Sequence, residues 1–583
     1  MAAVLPQTRQ RWLYGPVWDL MLGCGGLYFV MFVVLWASGP PILQVVSQGL
    51  IPLALLVTAV PHYGATLLRV YERRDDRRTY AIFAVWATVL VWASFVWGVY
   101  DRTVGNILVT IFLTWSPWHY SGQNYGVGLM LLGRGGVRVT PLAKRFIWAS
   151  FLSSWLLVVF ATHGAFGGGS SYAPTVTGSL TESVYVFVPL GIPIVLLQPL
   201  MITTALAYFA SLVGAFVLLR REGSWGQLSP MVGVMLLQGL WFSVPVLFRA
   251  ASLAENVLPL SAQYQGYTLL WIALGHSIQY LWVTTYYATT SKTGARPMLY
   301  WVKAFLAGGA LFAIPVFLFS PDAFGVYSFE SGLGVLIAAA VNLHHFILDG
   351  AIWKLRDGRI ARILLRRNEA LTAAPPALAP TRSFARAATW SVVGALGVSY
   401  AVFSGVGAWE MEYGFRRAMD PPNVERMRIA ARRLFLVGHD HPTLHLNLGV
   451  LAVRAGEVET ARREAERSLA LGPSVQAFML LGQINQQTKQ WDEARDAYDS
   501  ALKLDPSNVP ALAQLALVSG QAGDLDRAEQ ALTRALELAP DRQDLRRRLD
   551  DVSRRKRGAS ESSNPPGAAS KDASPQTSPS PRS

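Results

Sequence analysis

The chain has 583 residues, is 52% hydrophobic and only 15% charged, and carries a formal net charge of +14 with a single cysteine. Soluble chains usually hold about 25% charged residues, and the lone Cys24 excludes an internal disulfide framework and any cysteine-based zinc site. The shortfall in charge is uneven: 14–409 holds long apolar runs, 410–556 is rich in Arg, Glu, Ala and Leu, and 557–583 is mostly Ser, Pro and Gly. This pattern predicts an all-α protein made of a polytopic transmembrane helix bundle, an α-solenoid and a disordered tail.

A bilayer core needs about 20 apolar residues per helix. After a cytoplasmic N-terminus at 1–13, the transmembrane domain 14–409 offers eleven such stretches, about 16–37, 47–68, 79–100, 106–131, 143–163, 197–219, 228–248, 264–288, 299–320, 331–353 and 388–409. No A-x-A-like site follows the first, so it is expected to stay as a helix. Residues 184–196 are also apolar and, interrupted by Pro193, suggest a short or re-entrant twelfth segment. With the N-terminus inside, the inner segments hold 24 Lys and Arg, from Arg9 to Arg386, and the outer loops only Arg102 and Arg249. That split fixes orientation and the odd number of spans. It predicts a multi-pass protein of the inner (cytoplasmic) membrane whose chain after 409 is periplasmic. It also places the basic charge against anionic lipid headgroups, so membrane lipid and not nucleic acid is the expected partner.

Five of the nine histidines fall inside these stretches: His62, His119, His276, His344 and His345. A titratable residue at membrane depth is costly and marks a functional site by default. The four helices concerned all run from outside to inside. Counting back from the first inner basic residue puts the rings about 10–25 Å above the inner boundary. Three have a polar companion one turn on, Gln123 after His119, Tyr280 after His276 and Asp349 after His345, and His62 has Arg69 two turns on. His62, His119, His276 and His345 are the expected metal ligands, with Asp349 a ligand or an acceptor beside them. Gln123, Tyr280, His344 and Arg69 are expected to orient the ligands or contact a substrate. Neighbouring helical residues diverge by about 100°, so His344 and His345 cannot both face one centre equally well, and His345 is favoured because its i+4 neighbour is Asp349. An N/O set of this kind suits iron, manganese or zinc. The competing readings are interhelical polar glue and a proton or solute path. His163, at the outer end of a span, reads as a loop or interface residue.

Residues 410–442 form a connector with a partial helical repeat near 422–436. The segment 443–542 repeats at 33–34 residues: Ala461, Ala494 and Ala528 are equivalent, as are Pro473, Pro506 and Pro540, and Gly449, Gly482 and Ala516. Small residues let paired helices approach, and each proline stops one unit before the next. A polar helix at 541–556 closes the stack. His439, His441 and His445 precede it as a polar loop or a second metal group. Residues 557–583 are expected to be disordered.

This repeat resembles the tetratricopeptide family, which implies a groove for a protein or peptide partner. The dispersed histidines resemble, in architecture, polytopic non-haem iron enzymes of lipid metabolism, with the bacterial Brp/Blh-type carotene dioxygenases nearest in style. The strings PWHYSGQNYG, HSIQYLWV and HHFILDGAIWK also resemble those of other bacterial polytopic membrane proteins. The HxxxH and HxxHH clusters of fatty-acid desaturases are absent. The expected cofactor is non-haem iron or another divalent metal, with haem b as alternative. The expected function is an oxygenase-like metalloenzyme acting on a lipid or other hydrophobic small-molecule substrate. Its alternatives are a non-catalytic anchored scaffold, a transporter and a polytopic glycosyltransferase. The last is disfavoured because the loop SGPPILQVVSQG lacks a carboxylate.

Overall fold

A computed structural model describes residues 11–39, 51–71, 80–164, 183–261, 265–291, 296–353, 363–365 and 384–562. The chain forms two compact units, 1–444 and 445–583. The first is built from α1 (Gly26–Ser38), α2 (Ile51–Tyr71), α3 (Ile82–Tyr100), α4 (Arg102–Arg134), α5 (Pro141–His163), α6 (Ile194–Glu222), α7 (Trp225–Ala250), α8 (Gln265–Ser291), α9 (Pro297–Leu318), α10 (Phe329–Ile352), α11 (Phe384–Trp409) and α12 (Val424–Val437).

Among the described residues, eight helices are long and apolar enough to cross a membrane: α2, α3, α5, α6, α7, α9, α10 and α11. A ninth arises if Pro16–Gly23 and α1, bent by 67° at their break, count as one. Eleven were expected, and the two that fall short are α4 and α8. Their hydropathy is lowered by Ser116, His119, Ser121, Gln123 and Asn124 on α4, and by His276, Ser277, Gln279, Thr284 and Thr285 on α8. These side chains are buried or half-buried, so the polarity faces inward. Trp36, Trp86, Trp97 and Val195 are exposed, leaving the outer flanks apolar.

α10 lies at the centre, buried along nearly its whole length from Ser331 to Ile352. It packs on α2, α3 and α4, and α2 packs in turn on α8 and α9. The α2–α9 contact is a close backbone approach: a Cβ on Gly64 would strike the Ala304 carbonyl, and one on Gly308 the Val60 carbonyl. Small residues permit such contacts between apolar helices, and here they clamp α2 on both sides of His62.

The twelfth segment considered at 184–196 is not a span. Residues 184–192 form no helix, and α6 begins only at Ile194. The extended stretch lies along α4. Val184 N donates to Ser331 O at 2.9 Å, Val186 N to Asn106 Oδ1 at 2.9 Å and Val188 N to Thr110 Oγ1 at 2.9 Å. Leu190 N donates to His163 Nδ1 at 3.1 Å, and Ile192 N to His163 O at 2.9 Å. Every second backbone donor is therefore paired. On the other edge Tyr185 N donates to Ser183 Oγ at 3.2 Å, and Pro189 and Pro193 have no donor to satisfy. Buried or lipid-facing backbone must pair its polar groups internally, and a proline on the outer edge removes a donor that would need a partner.

The second unit comprises α13 (Pro442–Arg454, which begins just before the unit boundary), α14 (Val458–Leu471), α15 (Val475–Gln487), α16 (Trp491–Leu504), α17 (Val509–Gln521), α18 (Leu525–Leu538) and α19 (Gln543–Ser562). Ala461, Ala494 and Ala528 are fully buried where paired helices meet. A Cβ on Gly482 would come within 2.6 Å of the Tyr498 ring, so glycine there is what lets α15 lie against α16. Pro473, Pro506 and Pro540 sit in the breaks after α14, α16 and α18. Ser474 and Asn508 accept from backbone N–H groups in the first turns of α15 and α17, and Asp524 does the same for α18. The closing helix buries Leu545 and Val552 and runs to Ser562, past the expected start of the tail at 557. The rest of the expected disordered segment, 563–583, lies outside the described residues.

Candidate metal centre

α2, α4, α8 and α10 each supply one histidine to a single point. One nitrogen from each of His62, His119, His276 and His345 lies within 4.8 Å of the other three. His62, His276 and His345 are buried to within a few per cent, and His119 almost as far. His62 Nε2 and His345 Nε2 are 2.8 Å apart. Ligands about 2.0–2.2 Å from one ion lie at most ~4.4 Å apart, so small ring rotations bring all four to one centre. The nitrogens are also short of other partners. His119 Nε2, His62 Nδ1 and both nitrogens of His276 have no hydrogen bond among the described residues. Buried polar atoms are normally paired; His62 and His345 pair with each other through their Nε2 atoms, but polar glue does not account for His276, whose two nitrogens are both unpartnered among the described residues. His276 instead stacks on Tyr120 at 4.1 Å, and His119 on Phe346 at 4.3 Å, packing that fixes each ring without using its nitrogens.

Asp349 stands beside the four rings. Its Oδ1 accepts from Tyr280 Oη at 2.7 Å and Thr66 Oγ1 at 2.9 Å. Its Oδ2 lies 3.4 Å from His345 Nε2 and 4.0 Å from His119 Nε2. Thr66 Oγ1 is also 3.0 Å from His345 Nδ1 and 2.6 Å from Tyr280 Oη. Thr66 has one proton, and the carboxylate takes it. His345 Nδ1 is then the donor to Thr66, which leaves the Nε2 lone pair aimed at the cluster. Trp353 Nε1 donates to Tyr280 Oη at 3.0 Å and completes the chain. Metal-bound histidines are oriented in this way by groups behind them.

The other expected residues divide. Tyr280 holds Asp349, as described. Gln123 donates through Nε2 to His276 O at 3.0 Å and to Gln279 Oε1 at 2.5 Å, steadying α8 beside its histidine. His344 points away, with Nε2 2.8 Å from Thr88 Oγ1 of α3, as its offset from His345 around the helix requires. Arg69 lays its guanidinium over the rings of Tyr80 and Tyr287. His163 is a buried structural residue and not a loop residue: its Nδ1 accepts from Leu190 N, so Nε2 carries the proton given to Thr114 Oγ1 at 2.8 Å. Of the group His439, His441 and His445, two rings have a carboxylate partner each. His439 pairs with Glu330 at 2.9 Å and stacks on Phe403, whereas His445 pairs with Glu464 at 2.6 Å. Thr66 was missed by sequence reasoning although it stands at i+4 from His62, the spacing used for the other three histidines; Arg69 at i+7 drew the attention instead.

A cavity of about 310 Å³ opens beside the centre, walled in part by His119, Asp349, Trp115, Trp118, Phe346 and Trp353.

Comparison with known proteins identifies the second unit. Tetratricopeptide-repeat family models match residues 446–509 and 486–549. Residues 446–549 are tetratricopeptide repeats. A Pseudomonas aeruginosa protein described as a probable biofilm formation methyltransferase, WspC, is 40% identical over 82 residues, 14% of this chain and 19% of that protein. This chain thus spans less than a fifth of that relative's length. The solved structure of MamA protein is similar at 20% identity over 29% of this chain and 87% of MamA, with a TM-score of 0.23. The likeness of 14–409 to Brp/Blh-type dioxygenases has no support from these comparisons.

Proposed function

We propose that this chain is an integral membrane metalloprotein in which His62, His119, His276 and His345 hold one divalent first-row ion, with non-haem iron the leading choice. The observation that carries the reading is the convergence of four imidazole nitrogens, several without any other partner, from four separate helices. The spacing speaks for a bare ion over haem b, because rings this close leave no room for a macrocycle between axial ligands. Asp349 lies where its carboxylate offsets part of the ion's charge or completes the ligand set. The cavity beside His119 and Asp349 supports access by a hydrophobic small molecule, and an oxygenase-like reaction on such a substrate is the activity we infer.

The apolar flanks and the positive-inside charge split support insertion in the inner membrane with eleven spans, α4 and α8 included. In that arrangement the N-terminus is cytoplasmic and the repeats are extracytoplasmic. The repeats support a protein-interaction role and recruit a protein or peptide partner. The test is metal analysis of the purified full-length protein. It should give one ion per chain, lost in His276→Ala and kept in His163→Gln. A metal-free protein with normal folding would leave a membrane-anchored interaction scaffold as the function.

A further inference from the structure

The cavity wall carries one polar atom whose bonding is incomplete. Gln123 lies on it, one turn beyond His119 on the same face of α4. Both amide hydrogens of Gln123 are committed, one to the His276 carbonyl and one to Gln279 Oε1. The orientation is forced: the His276 carbonyl only accepts, and Gln279 spends its own amide hydrogens on the Gly23 carbonyl at 2.7 Å and Asn124 Oδ1 at 3.1 Å. Gln123 Oε1 is therefore an acceptor, and among the described residues it has no partner although it is shielded from solvent. An unpaired buried acceptor is destabilising, and such an atom in a native cavity wall calls for a partner, a water or a ligand group, in the cavity itself.

The remaining wall selects the rest of the ligand. Trp115, Trp118, Phe346 and Trp353 offer flat apolar surface. A Cβ on Gly122 or Gly126 would meet nothing within 4 Å, so these glycines leave open room beside Gln123. A carboxylate ligand would bring no donor for Gln123 Oε1, so a hydroxyl is the better match on this wall. The volume of about 310 Å³ is at the small end for ligand pockets and equals the space of roughly ten waters.

We propose that the cavity binds a neutral, slender hydrophobic molecule bearing a hydroxyl group, with the hydroxyl donating to Gln123 Oε1 and the carbon chain lying against the tryptophans. This rests on the metal reading only in that it assigns the substrate class of the same site. It places a polar end one helical turn from His119, so the carbon atoms next to the hydroxyl lie nearest the four histidines.

The probes are 1-decanol, n-decane and decanoate, each offered to the full-length protein in lipid nanodiscs, with bound ligand counted by native mass spectrometry and metal measured on the same samples. Decanol should bind about tenfold more tightly than decane or decanoate. Gln123→Leu should bring decanol and decane within about twofold of each other. Gly126→Leu, which fills the open room, should abolish decanol binding and leave the metal content unchanged. Equal binding of decanol and decane by the native protein, or a hydroxyl preference that survives in Gln123→Leu, overturns the proposal. If Gln123→Leu does not fold, the native comparison and Gly126→Leu decide it. A metal-free protein that still prefers decanol removes the metal reading and leaves this one standing; a metal-loaded protein without the preference does the reverse.

Discussion

Thr66→Val is the sharpest perturbation of the proposed centre, because it removes one hydroxyl and almost no volume. That hydroxyl touches His345 Nδ1 at 3.0 Å, Asp349 Oδ1 at 2.9 Å and Tyr280 Oη at 2.6 Å. In the variant Asp349 keeps the Tyr280 bond, and Tyr280 keeps its donor Trp353, so the loss falls on His345. Its Nδ1–H is left buried without an acceptor, a cost of about 1–3 kcal/mol. That cost is avoided if the ring turns or changes tautomer, and either move spoils the Nε2 lone pair as a ligand. Metal affinity should therefore fall by roughly 5- to 150-fold, which brackets the 10- to 100-fold commonly lost when a group orienting a metal-bound histidine is removed (~1.4–2.8 kcal/mol). Chelator competition on the purified protein measures it, with His276→Ala as the emptied control. If Thr66→Val holds its metal as tightly as the native protein while His276→Ala loses it, the proton assignment through Thr66 is wrong although the four-histidine site survives.

Other outcomes follow from the same geometry. His344→Ala, which loses only its bond to Thr88, should leave metal content unchanged, as read by elemental analysis. A reporter active only in the periplasm, fused after Arg555, should give signal, and a cytoplasm-only reporter working there would refute the eleven-span arrangement. The fragment 442–562 should fold alone, with helical circular dichroism; in it Tyr498→Ala, which empties the space against Gly482, should cost ~3 kcal/mol or more and lower the melting temperature by on the order of 10 °C. Burial pushes the Tyr498 phenol up to about 12 from the usual 10. The folded state thus favours its neutral form. That stability is complete below pH 10 and is lost as pH rises towards 12, so native fragment should unfold in that window more readily than Tyr498→Phe.

The repeats were legible in the sequence because their signal is local. Ala494 and Gly482 recur at a fixed period, and each is buried by its immediate neighbours in the stack. The four central histidines were legible for a different reason: apolar surroundings make each one an anomaly that needs an explanation. What a helix-by-helix reading did not reach was the set of partners from other helices. Thr66 is an ordinary helix residue until Asp349 and His345 arrive from α10. The group at His439 left two readings open, a polar loop or a metal group, for the converse reason. Closeness along the chain suggested one site, whereas His439 and His445 each found a separate carboxylate, Glu330 and Glu464. The sequence counts α4 and α8 as spans on their length, but buried polar side chains such as Ser116, Asn124 and Gln279 leave them less apolar than the eight helices long and apolar enough to cross a membrane.

The extended stretch beside α4 works like a vernier, two rulers of nearly equal pitch laid side by side. Two residues of strand advance about 6.7 Å, and four residues of helix about 6.0 Å. Val186 and Val188 can thus meet Asn106 and Thr110, and Leu190 can meet Thr114 through the ring of His163, with a slip of only ~0.7 Å per rung. The slip accumulates, which limits such a ladder to a few rungs. The period of two also makes the segment intolerant of single insertions: one added residue before Val186 would turn the prolines towards α4 and the N–H groups away from it, whereas two added residues would restore the match. Length variation in this stretch should therefore come in even steps.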